Sequence, residues 1–61
     1  MNNNLGKMIS KARKDKNLSQ SALADKLHVS RQTISKWENN TSVPDYDLIK
    51  NLCKELDLKL G

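Results

Sequence analysis

The chain has no phenylalanine, one cysteine, one proline and two glycines among its 61 residues. Each scarcity narrows what it can be. One cysteine forbids an intramolecular disulfide, and a lone histidine, His28, leaves no cysteine and histidine spacing for a zinc staple, so the core must come from helix packing alone. That core is small, since a domain of this size buries only about 60% of its unfolded surface. With so few glycines and prolines there is little to interrupt the chain, which favours continuous helices joined by short turns. No apolar run approaches the ~20 residues of a membrane span, and the opening MNNNLGK lacks the basic-then-apolar layout of a secretory signal. A soluble cytoplasmic protein is expected.

Catalytic groupings are missing too. There is no nucleophile paired with a base, no metal set and no glycine-rich phosphate loop, so the expectation is no enzyme, no cofactor and no metal. Cys53 falls among apolar residues and reads as a buried structural cysteine. Asp45 and Asp47 belong at a helix start, where acids complement the dipole.

What is present is positive charge, unevenly placed. Residues 1–36 carry eight Lys or Arg against Asp15 and Asp25, a net +6, while residues 37–61 carry three Lys against five acids, a net −2. A basic front suits a polyanion, because lysines near phosphates release condensed counterions, although a charged surface is by default merely solvated.

Apolar periodicity predicts four helices. Leu5, Met8, Ile9 and Ala12 place the first at about Leu5 to Lys16, with Asn4 as its cap and a lysine-rich outer face. Asn17 suits the left-handed residue that ends a helix, Leu18 plugs the core, and Ser19 caps a second helix over Gln20 to Leu27. Small Ala24 there allows a close helix crossing. The turn His28-Val29-Ser30 points Val29 inward and lets Ser30 cap a third helix from Arg31 to about Asn39. A polar loop closes at Pro44, and Asp45 caps a fourth helix whose stripe comprises Tyr46, Leu48, Ile49, Leu52, Cys53 and Leu56. Leu58 and Leu60 trail beyond it. No β alternation competes, so an all-α bundle of four helices is expected, with room for the first turn of a fifth.

Ile34 and Trp37 face inward on the third helix and leave Arg31, Gln32, Ser35 and Lys36 on another face. LSQSALADKL, VSRQTISKWEN and PDYDLIKNLCKEL together resemble the Cro/repressor (XRE-type) helix-turn-helix DNA-binding domains, over about Leu5 to Leu58. The resemblance implies a compact lambda-repressor-like bundle, a single domain spanning 1–61, with the third helix as recognition helix. It implies base contacts from Arg31, Gln32, Ser35 and Lys36, whose chemistry fits: Arg and Lys donate to guanine, and Gln pairs with adenine. Gln20, Thr33, Asn39, Asn40 and Thr41 are implied phosphate contacts, each with a plain alternative as a cap or loop residue. Arg13 and Glu38 occupy positions where similar domains hold an ion pair, which would orient Arg13 toward the DNA backbone. The family often has glycine where this chain has His28, a left-handed position that histidine tolerates with some strain.

The function so implied is sequence-specific binding of double-stranded DNA by a transcription regulator, with repression the expected sign. A homodimer on a pseudo-palindromic operator is the expected assembly. Similar domains commonly continue beyond a point such as Gly61 into a further helix or an effector region. The rival is a protein-interaction or antitoxin-like module on the same fold, since fold does not fix function. Against it, the third helix shows none of the Leu, Met or aromatic anchors a protein partner would need. Single-stranded nucleic acid is disfavoured because Trp37 and Tyr46 are both expected to face the core.

Overall fold

The computed structural model describes residues 5–58. Asn4 and Leu60, for which a cap and an apolar extension are expected, lie outside them. Four helices follow in order, α1 (Leu5–Asp15), α2 (Gln20–Leu27), α3 (Arg31–Glu38) and α4 (Tyr46–Leu56), and no strand occurs among the described residues. The all-α architecture thus matches the periodicity of the sequence.

Three helix starts are fixed by local hydrogen bonds. Ser19 Oγ accepts from the Ala22 N–H at 3.0 Å, Ser30 Oγ from the Thr33 N–H at 3.2 Å, and Asp45 Oδ1 from the Leu48 N–H at 2.9 Å. Each satisfies an amide that has no partner within its own helix. The helix ends share one device, and none uses glycine. Asn17, His28, Asn40 and Asp57 all take positive φ, between 56° and 63°. Behind each, an amide reaches back five residues: Leu18 N–H to Arg13 O, Val29 N–H to Ala24 O, Thr41 N–H to Lys36 O and Leu58 N–H to Cys53 O. This is the Schellman arrangement, and Leu18, Val29 and Leu58 complete it by packing on the core.

The core consists of Ile9, Leu23, Ala24, Leu27, Ile34, Trp37, Leu52 and Leu56, all buried. Helix α3 packs on α1 and α2, and α4 covers α1 and α2 from another side. Ala24, 2% exposed, lies within that core on α2, the helix most closely packed with α3.

Three residues depart from the apolar stripe expected on α4, among them Ile49, which is only partly buried. Tyr46 is 73% exposed and does not face the core. It lies six residues before Leu52, so at about 100° per residue it stands roughly 120° round the helix from the centre of the buried face. Its ring is instead covered by Lys50, whose ammonium lies 5.1 Å from the centroid. Cys53, seven residues on and so at the same edge, is only partly buried.

Gly6 does work that its sequence context does not announce. It is buried at the first turn of α1 and faces the last turn of α3. A Cβ there would come within 2.5 Å of Glu38 O and 2.7 Å of Trp37 O, both backbone atoms that cannot swing away. The Gly6 N–H donates to Asn40 Oδ1 at 3.3 Å, so the loop after α3 caps the start of α1. Gly6→Ala should therefore destabilise the fold by about 1–3 kcal/mol through overpacking. That outweighs the gain of about 1 kcal/mol that alanine brings to a helix. Denaturant melts of the two proteins measure the sign.

Candidate nucleic-acid interface

Helix α3 buries Ile34 and Trp37 completely or nearly so, at 0% and 3% exposure, and this fixes which side faces out. Arg31, Gln32 and Lys36 are exposed on that outer side, while Thr33 and Ser35 are partly covered at its flanks. No exposed side chain of α3 is a large hydrophobe. Five of the residues expected at bases and phosphates, Arg31, Gln32, Thr33, Ser35 and Lys36, therefore share one eight-residue helix.

A chain of polar contacts runs inward from this face. Arg31 Nη1 lies 3.4 Å from Gln20 Oε1, and Gln20 Nε2 donates to Glu38 Oε1 at 3.1 Å. Arg13 grips the same carboxylate with both arms, Nε to Oε2 at 2.6 Å and Nη2 to Oε1 at 3.0 Å, while its Nη1 donates to Leu18 O at 2.9 Å. The two charged side chains are 11% and 10% exposed. Three helices meet at this point, because Arg13 comes from α1, Gln20 from α2 and Glu38 from α3.

The electrostatics follow from that geometry. Burial pushes the Glu38 carboxyl up, but hydrogen bonds from Arg13 and Gln20, with the charges of Arg13 and Lys14, outweigh it and hold the carboxyl below its ordinary value. The hydrogen bond to Glu38 raises Arg13 further, against the opposing effect of burial. Both groups stay charged across the neutral range.

This network bears on one expected role. The Arg13 guanidinium is turned inward and committed to Glu38 and Leu18, which suits holding the three helices together better than reaching a phosphate. Gln20, expected at a phosphate, spends both ends of its amide within the protein, on Glu38 and toward Arg31. Its backbone N–H remains at the start of α2.

The loop after α3 supplies the remaining polar candidates. Asn39, Asn40 and Thr41 are all exposed. Asn39 Oδ1 accepts from the Thr41 N–H at 3.1 Å and from the Thr41 hydroxyl, and Asn40 Oδ1 is held by Gly6. Thr33 Oγ1 shares a hydrogen bond with the capping Ser30 Oγ at 2.9 Å. These side chains are thus held in place by neighbours through their oxygens, and the hydrogen bonds described for the exposed Asn39 and Asn40 do not use their amide NH2 donors.

Among the described residues no group of His, Cys, Asp and Glu is arranged to hold a metal ion, and no helix is long and apolar enough to cross a membrane.

Comparison with known proteins agrees with this geometry. No solved structure matches the chain significantly. The HTH-type transcriptional activator BcrR of Enterococcus faecalis is 45% identical over 42 residues, 69% of this chain. The matched stretch spans 21% of that protein, so the likeness concerns one domain of a longer regulator. The family profile described as helix-turn-helix matches residues 9–61, nearly the whole chain and including α2, α3 and the turn between them. The chain belongs to the XRE-type helix-turn-helix family.

Proposed function

We propose that α3 enters the major groove of double-stranded DNA and reads a specific sequence there. Arg31, Gln32 and Lys36 meet base edges, and Ser35 reaches a base or an adjacent phosphate. Thr33, Asn39, Asn40, Thr41 and the start of α2 at Gln20 hold the flanking backbone and fix the register. Arg13 acts from behind as a positioning residue. The observation that carries this reading is the outer face of α3, basic and amide-bearing with no large apolar side chain, set opposite a face that is fully packed.

Two copies bind a pseudo-palindromic operator with their recognition helices about 34 Å apart, one turn of the duplex. Occupying a promoter groove is enough to block transcription, so repression is the simplest outcome. BcrR is named as an activator, and a promoter reporter with the site placed over or upstream of the start distinguishes the two signs.

Selection from a pool of randomised duplexes tests the reading directly. It should enrich one sequence with two-fold symmetry. Arg31→Ala should then weaken binding to that sequence by about 1–3 kcal/mol and relax the preference at one position. An equal loss on every duplex would demote Arg31 to a backbone contact. Failure to enrich any duplex, together with capture of a protein on exposed Val43 and Tyr46, would support the interaction-module reading instead.

A further inference from the structure

The outer face of α1 is not accounted for by the recognition helix. Lys7, Lys11 and Lys14 recur there at four- and three-residue spacing, all exposed, and line a shallow cleft with Ser10, Asp15 and Glu38. The two acids of that cleft are already satisfied. Asp15 pairs with Lys11 at 3.2 Å, and Glu38 is gripped by Arg13. Lys7 and Lys14 have no ion-pair partner among the described residues, so the cleft presents two ammonium groups outside any salt bridge beside a serine hydroxyl, Lys14 feeling only the longer-range field of Glu38.

The cleft also adjoins the proposed DNA face. Glu38 forms its wall and at the same time hydrogen-bonds Gln20, which touches Arg31. At the other end, Gly6 packs against the carbonyls of Trp37 and Glu38 and ties to Asn40, one of the loop residues placed at the backbone.

Resting on that reading of α3, we infer that Lys7 and Lys14 form a lysine ledge that takes DNA backbone phosphates beyond those held by the α3 loop. Their spacing suits this occupant. Seven residues of helix span roughly 10.5 Å at about 1.5 Å each. That is about three steps of rise along one strand, at roughly 3.4 Å per step. An acidic protein partner fits less well, because the cleft lining offers no apolar anchor.

The ledge contributes affinity without sequence preference, and a salt series on the selected duplex and on a scrambled one reads it. Three proteins are compared: the wild-type chain, K7Q/K14Q, and K50Q/K54Q. The last removes the same charge from exposed positions on α4, a helix packed on α1 and α2. Each lysine that neutralises a phosphate adds about 0.9 to the slope of log K against log salt, so K7Q/K14Q should reduce that slope by nearly 2 units. At 0.1 M salt the same variant should bind roughly 10- to 60-fold more weakly, by the same factor on both duplexes. K50Q/K54Q should lose much less.

Equal slopes for the two variants would overturn the ledge while leaving the recognition helix intact. So would a loss confined to the selected duplex, or loss of binding to an acidic polypeptide such as polyglutamate with duplex binding unchanged. If the wild-type chain binds neither duplex, the reading of α3 fails first and the ledge falls with it. Thermal melts of K7Q/K14Q should stay close to wild type, since both side chains are exposed and neither forms a salt bridge among the described residues.

Discussion

Arg13→Ala should destabilise the domain by about 3 kcal/mol or more, the loss typical of removing one partner from a buried ion pair. The reason lies in what is left behind. Glu38 would remain an ionised carboxylate only 10% exposed, with one hydrogen bond from Gln20 in place of three. The carbonyl of Leu18 would also lose its donor in the turn between α1 and α2. For a chain of 61 residues, at about 0.05–0.15 kcal/mol per residue, total stability is roughly 3–9 kcal/mol, so this one change removes much of it.

Glu38→Gln separates charge from shape. It keeps an acceptor for Arg13 but buries an uncompensated guanidinium, and it should cost less than Arg13→Ala because Arg13 can still bond a neutral amide. A double-mutant cycle between the two positions then gives a coupling energy well above the ~0–1 kcal/mol of an exposed pair. Single effects that simply add would show that the pair is not coupled.

The same carboxylate sets an acid limit. Glu38 is held below its ordinary value in the folded protein, so above the unfolded-state pKa of about 4.3 the pair contributes fully to stability. As pH falls below that value toward the lowered one, the unfolded chain takes up the proton first and the contribution is lost. Urea midpoints of the wild-type protein should therefore fall on acidification below about pH 4.3. Those of Glu38→Gln should fall less steeply, with the exposed Lys16–Asp57 pair, whose carboxylate is also lowered, supplying part of the remainder.

Local signals were legible and long-range ones were not. Ser19, Ser30 and Asp45 announce helix starts because a cap bonds a backbone amide three residues away, within reach of any sequence window. Asn17 and His28 announce ends for a similar reason. Asn40 and Asp57 use the same left-handed turn, yet Asn40 is masked by the polar run around it and Asp57 lies between two leucines that extend the apolar pattern. Gly6 could not be read at all. Its need for a missing side chain comes from carbonyls thirty-one and thirty-two residues away, and its hydrogen bond from a loop thirty-four residues on. Tyr46 misleads for another reason: an aromatic at the edge of a broad stripe reads as core, although the buried arc of α4 is narrower than its apolar sequence. At the candidate interface, the pattern located α3 and its outward residues, but not the network behind them. A residue's type does not reveal that the guanidinium of Arg13 points inward, or that Gln20 is shared between Glu38 and Arg31.

Trp37→Ala should have an effect as large as Arg13→Ala, and by a different route. Trp37 is 3% exposed in the core, on the helix that packs most extensively against α1 and α2. Deleting so large a buried side chain costs about 3–5 kcal/mol, since the void cannot collapse around neighbours already fixed by their own caps. Set against a total of roughly 3–9 kcal/mol, this leaves a substantial unfolded population at ambient temperature. Circular dichroism should show reduced helicity and an early, shallow melt. Because α3 is oriented by Ile34 and Trp37 alone among its fully buried residues, duplex binding should fall with folding rather than independently of it. Ligand linkage separates those two outcomes. Selected duplex at about 100 times its Kd stabilises a folded binder by roughly 2.7 kcal/mol, so it should raise the melting temperature of the milder Trp37→Phe as it raises that of wild type. A duplex that stabilises wild type but leaves a folded Trp37→Phe unmoved would show that Trp37 sets the angle of the reading helix as well as its stability.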